Sequence, residues 1–421
     1  MDAAPDSEAA PPAAPHVAPA LDLGRLRSAF PALHSGPSSG LVRLDGPGGS
    51  LVPQEVADAI AAAMTAGMCQ RGALTSVEQL TEATTTGARA AMGDLLGTDP
   101  RGVVFGRSMT ALTFDLARCL GADWGPGDEV VVTRLDHDAN IRPWVTAAAR
   151  SGATVRWLDF DPETTELHDG AGVLNERTRV VALTDASNLF GPRPDVAAIA
   201  AAAHEVGALV HVDAVHLAAH DTVDRAALGA DLISCSPYKF FGPHLGVLAA
   251  DPDLLETLHP DKLLPSTEAV PERFELGTLP YEQLAGVTGA VDFIASFAPG
   301  GAGGTRRERL VAAMGAIAAH EQALLSRLLI GLDRLTHVRV HGSPAARTPT
   351  LLLQVDGVEP RAVHEHLVGH GVIAPAGSFY ALEASRHAGL GDTGGVRVGL
   401  SPYTTHDDLD RLVVGLGRLG C

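Results

Sequence analysis

The stretch DLISCSPYKFFGPHLGVLAA, residues 231–250, decides the fold reading. A short apolar run ends at Cys235, a Ser-Pro-Tyr turn follows, and Lys239 stands between Tyr238 and Phe240 before Gly-Pro and a second apolar run. That order is strand, turn, lysine, strand, and it puts Lys239 on a loop at the carboxyl end of a strand, where open α/β sheets place ligands. A lysine in an apolar, aromatic pocket loses hydration of its ammonium, so its pKa falls and its amine becomes a usable nucleophile. Loop lysines are ordinarily exposed. This chain, however, has only two lysines, Lys239 and Lys262, against an otherwise arginine-based positive charge.

Working outward, the same grammar repeats. Candidate strands fall at 102–105, 129–133, 154–159, 179–184, 209–213, 232–235 and 246–249, mostly as continuous apolar runs, which suits strands covered on both faces. Helical patterns at 110–120, 142–151 and 196–206 lie between them, so a mostly parallel α/β sheet with right-handed crossovers is expected. A helix is expected over 54–66, after the turn-rich LDGPGGSLVP at 44–53. After Thr278 the pattern changes: a helical region spans about 281–335 with a PGGAGG interruption at 299–304. Short strands at 338–340 and 350–355 and helices near 360–369 and 406–419 follow, reading as a smaller α+β domain. The expected organisation is a disordered Ala/Pro-rich tail over 1–20, a segment 21–43 packing with the small domain, a large domain over 44–282 and a small domain over 283–421.

Composition narrows the function classes. The formal charge of −19 argues against nucleic acid and anionic membranes as partners, since both need a basic face. No apolar run is long and clean enough to span a bilayer, and the first twenty residues lack a signal peptide's basic start and apolar centre. A cytoplasmic location is therefore expected. Cys69, Cys119, Cys235 and Cys421 form no CxxC pair, so neither a metal site nor a disulfide framework is expected.

A second segment, LVHVDAVH at 209–216, is a buried strand with Asp213 at its end. A carboxylate in that position can hold a proton on the ring nitrogen of pyridoxal 5'-phosphate (PLP). It is equally a helix cap or a turn residue when read alone.

The two segments together resemble the region around the cofactor aspartate and Schiff-base lysine of class V aminotransferases and cysteine desulfurases. LDGPGG (44–49), SMTALTF (108–114), RLDHDANIRPW (134–144), DASNLFG (185–191), RFELGTLPYE (273–282) and VRVGLSPYTTHDDLDRL (396–412) agree with that family in order. The resemblance implies a PLP-dependent transferase fold of type I. It implies that Lys239 is the Schiff-base lysine, that His137 stacks on the cofactor ring and relays protons, and that Asp213 contacts the ring nitrogen. It further implies that Asn188 and His216 bond the phenolic oxygen, and that Ser108, Met109, Thr110, Ser236 and Tyr238 hold the phosphate. Thr278 would reach the phosphate of a second subunit in a homodimer with shared sites, and Arg397 would grip the substrate carboxylate through its bidentate fork.

One part of the pattern is missing. Desulfurases carry a nucleophilic cysteine on a loop before the carboxylate arginine, and the corresponding stretch, APAGSFYALEASRHAGLG at 374–391, has none. The expected chemistry is therefore removal of the α-proton of an amino acid or cysteine conjugate followed by C–S β-elimination. An aminotransferase, an epimerase and a non-catalytic PLP-binding protein remain as alternatives.

Overall fold

A computed structural model describes residues 21–300 and 303–420; the Ala/Pro-rich stretch 1–20 and Cys421 lie outside the described residues. Seven strands form the large sheet: β1 (Val103–Gly106), β2 (Glu129–Thr133), β3 (Thr154–Leu158), β4 (Thr178–Thr184), β5 (Leu209–Asp213), β6 (Leu232–Cys235) and β7 (Gly246–Ala250). Their order is β1-β7-β6-β5-β4-β2-β3, and only β7 runs antiparallel to its neighbours. The expected boundaries hold to within a residue.

Both sheet faces are buried, and alternate residues serve opposite cores. Val131, Val181, Leu183, Val210, Val212 and Ile233 belong to one apolar cluster. Their neighbours Val130, Val132, Val180, Ala182 and Leu232 belong to another. This period-two division explains why the strands read as unbroken apolar runs. Helix α1 (Gln54–Thr65) packs on α4 (Tyr281–Ala295); α2 (Ser76–Leu96) and α4 contribute to the first cluster, and α3 (Met109–Gly121) to the second.

The smaller sheet is antiparallel, ordered β10-β11-β9-β8 from β8 (Val338–His341), β9 (Thr350–Val355), β10 (Ala376–Gly377) and β11 (Gly395–Gly399). A leucine-rich core built on Leu351, Leu353, Val396 and Val398 lies against one side.

Packing corrects two expected boundaries. Leu284, Val287, Val291 and Ile294 on α4 are buried in the large core, so this helix is not part of the small domain. The change falls inside the long helix α5 (Arg306–Leu332): Leu310, Met314 and Ile317 pack with the large core, Leu324, Leu328 and Leu332 with the small one. At the other end of the chain, Leu26 and Phe30 are buried in the large core, Phe30 against Phe241 and Phe293. Only from Val42, which pairs with Val372, does the segment join the small domain.

Candidate active site

The chain turns back across the sheet between β2 and β4, where β3 lies outside and β4 starts the run toward β7. Crevices at such reversals lie outside the carboxyl ends of parallel strands. Loops leaving β2, β4, β5 and β6 meet here and, with β11 and the loop after β10, enclose a cavity of about 640 Å³. Its lining includes His137, Asn188, Asp213, His216, Ser236, Tyr238, Lys239, Arg397 and the α3 residues Ser108, Met109 and Thr110. One expected site residue is absent from it: Thr278 is exposed and lies outside the lining.

Lys239 ends a single helical turn, Pro237–Lys239, whose Lys239 N–H donates to the Ser236 carbonyl at 3.0 Å. The turn is tied to the early loop because Ser50 N–H donates to Tyr238 O at 3.0 Å and Phe241 N–H to Ser50 Oγ at 2.6 Å. Lys239 Nζ donates to the Pro47 carbonyl and sits 4.9 Å from the Tyr238 ring centre. Burial lowers its pKa to about 7, reinforced by the Arg397 charge and partly opposed by Asp213. A substantial share of the amine is therefore unprotonated at neutral pH.

Asp213 is buried, and the backbone N–H of Val215 donates to its Oδ1 at 2.9 Å. Burial with so little compensation lifts its pKa to about 6. Behind it runs a polar chain that sequence reasoning missed. Asp136 accepts from Thr133, from Asn140 Nδ2 at 2.7 Å and from Thr184 N–H at 3.1 Å. Asn140 Oδ1 meets His211 Nδ1 at 2.8 Å, and His211 Nε2 meets Ser234 Oγ at 2.9 Å. Asp136 and His211 are both fully buried, which raises the former to about 8 and lowers the latter to about 3. The only cue in the sequence was polar residues inside otherwise apolar strands.

His137 Nδ1 accepts the Ala139 N–H at 3.0 Å, which leaves Nε2 as the protonated nitrogen of the neutral ring. Burial and the nearby Lys239 charge lower its pKa to about 4, so it is neutral across the physiological range. His216 is held through Nε2 by Thr348 and Thr350 of the small domain at 3.0 and 3.1 Å. Asn188 donates from Nδ2 to Phe379 O at 3.0 Å, and its Oδ1 is occluded without a partner. Arg397 donates to Asn188 O at 3.1 Å and lies 3.8 Å over the Phe379 ring, with Nε unpartnered.

Ser108 caps α3 by accepting Ala111 N–H at 3.1 Å. Helix geometry leaves the N–H groups of Met109 and Thr110 without intrahelical acceptors, a ready anion site. Gly246 makes this possible: a Cβ there would stand 2.1 Å from Ser108 C and 2.2 Å from Met109 N, so β7 passes directly behind the helix start.

A phosphorylated pyridine needs an anion cup, a carboxyl for its ring nitrogen, an amine and room for a flat ring. The α3 cup, the singly bonded Asp213, the Lys239 amine and the cavity between them meet those needs, and the residues fit PLP. No cysteine lines the cavity, and Cys235 is buried with its thiol pushed well up by desolvation. Among the described residues, no cluster of metal-binding side chains occurs and no helix is long and apolar enough to cross a membrane.

Comparison with known proteins places the chain in a family. The family described as Aminotransferase class-V matches residues 42–412. An uncharacterized Mycobacterium tuberculosis protein is 34% identical over 95% of this chain and 100% of its own length. A probable cysteine desulfurase from Mycobacterium leprae is 32% identical over 94% of this chain and 96% of its own. Among solved structures, the Escherichia coli cysteine desulfurase CsdA superposes with a TM-score of 0.82 at 25% identity, covering 95% of this chain and 98% of that one. The chain belongs to the class V aminotransferase family of PLP-dependent enzymes, and its fold and relatives are cysteine desulfurase-like.

Proposed function

We propose that this enzyme cleaves the C–S bond of a cysteine-type amino acid by β-elimination, giving a free thiol, pyruvate and ammonium. One observation carries the reading: a buried amine with a lowered pKa shares a cavity with Asp213 and Arg397, while the loop walling that cavity has no cysteine to receive sulfur.

Bound PLP supplies a carbonyl carbon for the substrate amine and an electron-withdrawing ring that acidifies Cα–H. Ser108, Met109, Thr110, Ser236 and Tyr238 would hold its phosphate, joined by Thr278 from a second copy in a homodimer. Asp213 would keep a proton on the ring nitrogen, Asn188 and His216 would bond the phenolic oxygen, and His137 would lie against the ring. Arg397 orients the substrate through its carboxylate, using the guanidinium edge that Phe379 and Asn188 leave open. Lys239 Nζ, unprotonated above about pH 7, takes the α-proton. The Cβ–S electron pair then leaves with sulfur, which takes a proton to become the thiol. Water releases the remaining three carbons as pyruvate and the nitrogen as ammonium, so one water enters per conjugate. A cytoplasmic location fits the chemistry.

The test is a product assay on the yellow, cofactor-loaded protein with cysteine, cysteine S-conjugates, aspartate and alanine. Thiol and pyruvate in equal amounts are expected. A keto acid formed only with an amino acceptor, inverted substrate, or no product at all would contradict the reading.

A further inference from the structure

The loop after β10 takes a conformation that the sequence did not suggest. Phe379 and Tyr380 both adopt left-handed backbone, φ 53° and 60°, a pairing that side-chain-bearing residues avoid unless the surroundings impose it. Those surroundings are visible. The Phe379 carbonyl accepts from Asn188 Nδ2, the Tyr380 carbonyl accepts from Asp138 N–H at 2.7 Å, and Ala381 N–H donates to Ser378 O at 2.9 Å. Directly after the turn, Ala381 and Ala384 are buried against Phe160, Phe190 and Leu352. The loop is therefore fixed from the cavity side and from behind.

The rings it displays are placed by that anchoring. Phe379 lies under the Arg397 guanidinium at 3.8 Å. Tyr380 is 76% exposed yet lines the cavity, its ring 5.5 Å from His137 and inclined by 30°. Phe114, on α3, is the other large apolar side chain that is both exposed and in the cavity lining. Charge at this mouth is compensated: Asp138 and Arg142 pair at 2.7 Å, and Arg142 also reaches Glu383 at 3.4 Å. The remaining charged lining groups, Asp213, Lys239 and Arg397, face the tasks assigned above.

We propose that Phe379, Tyr380 and Phe114 form a fixed aromatic wall that selects amino acids carrying an aryl or benzyl group on sulfur over those with a small or charged substituent. This rests on the C–S lyase reading and names its substrate class. Tyr380 is the specificity-determining residue: its ring face, next to His137, covers the outer end of the side chain, while Arg397 holds the carboxylate end.

The test uses the holoenzyme and two ligands without an amine, 3-(benzylthio)propanoate and 3-(methylthio)propanoate, with affinity measured by calorimetry. Neither ligand can exchange with Lys239, so the result reports the wall whether or not any C–S bond is cleaved. The benzyl ligand binds about tenfold tighter in the native protein, the yield of covering one ring face with aromatic surface. Tyr380→Ala narrows the gap to about twofold, and Tyr380→Phe keeps it, because the ring and not the hydroxyl makes the contact. Equal affinities in the native protein, no binding of the benzyl ligand, or a gap unchanged in Tyr380→Ala would each overturn the proposal.

Discussion

The two ends of the large sheet's strands each hold a carboxylate with little exposed surface, one shallow among half-exposed arginines and one deep, and treat them oppositely. Glu129, at the amino end of β2, and Asp213, at the carboxyl end of β5, are 3% and 4% exposed. Glu129 is surrounded by donors: Arg177 at 2.7 Å, Arg156 at 3.0 Å and Asn175 Nδ2 at 2.8 Å, which hold its pKa down to about 2. Asp213 accepts from a single backbone N–H and rises to about 6. Nearby Asp185 is buried with neither oxygen paired, and its pKa is raised well above the carboxylate range. Deep burial together with withheld partners marks the site. The amino end uses charge for stability, and the carboxyl end keeps acids without partners for a ligand.

Substitutions can break or sharpen that contrast. The largest effect is expected for Lys239→Ala, which abolishes retention of the cofactor on dialysis and lowers turnover by at least about 10³-fold. Asp213→Asn is expected to reduce turnover by about 10²-fold or more while leaving the apo protein equally or more stable at neutral pH. The sign follows from its raised pKa: stability tied to the neutral acid is present below the ordinary value of 3.8 and lost as pH rises through about 6. The asparagine variant escapes that loss, by about 1–3 kcal/mol in a denaturant titration at pH 8.

Glu129→Gln should do the reverse, leaving cofactor colour and turnover unchanged and costing about 1–2 kcal/mol, discounted because Arg156 and Arg177 are half exposed. Its lowered pKa means that the stabilisation is present above 4.5 and lost as pH falls toward 2. The smallest effect is kinetic. The apo protein should take up PLP faster with rising pH, about tenfold per unit below 7, and level off above it as Lys239 becomes fully unprotonated.

The same contrast explains what could be read from the sequence. Strands buried on both faces announce themselves as apolar runs, and Lys239 stood out because the chain is so poor in lysine. Helix α2 did not announce itself. Its TEATTT run, 81–86, is rich in β-branched residues that disfavour helix. In the fold, Thr81, Thr84, Thr85 and Thr86 each donate a hydroxyl proton to the carbonyl four residues earlier, and a capping box from Thr75 and Glu78 starts the helix. Tertiary packing on α4 decides the matter.

Within the site, residue types at strand ends were legible, but their partners were not. The support of His211 by Asn140, and the anchoring of Phe379 by Asn188, join residues 71 and 191 positions apart. No local pattern encodes such contacts.

The central claim is that one amine in this chain is kept free for an aldehyde, and the second lysine is a built-in control. Lys262 is paired with Glu268 at 2.8 Å and donates to Ser266 O at 2.9 Å. Borohydride reduction of the purified, PLP-treated protein followed by peptide mass spectrometry should find the added pyridoxyl phosphate mass on Lys239 alone. Modification of Lys262 in its place, or no modification of either lysine, would contradict the account.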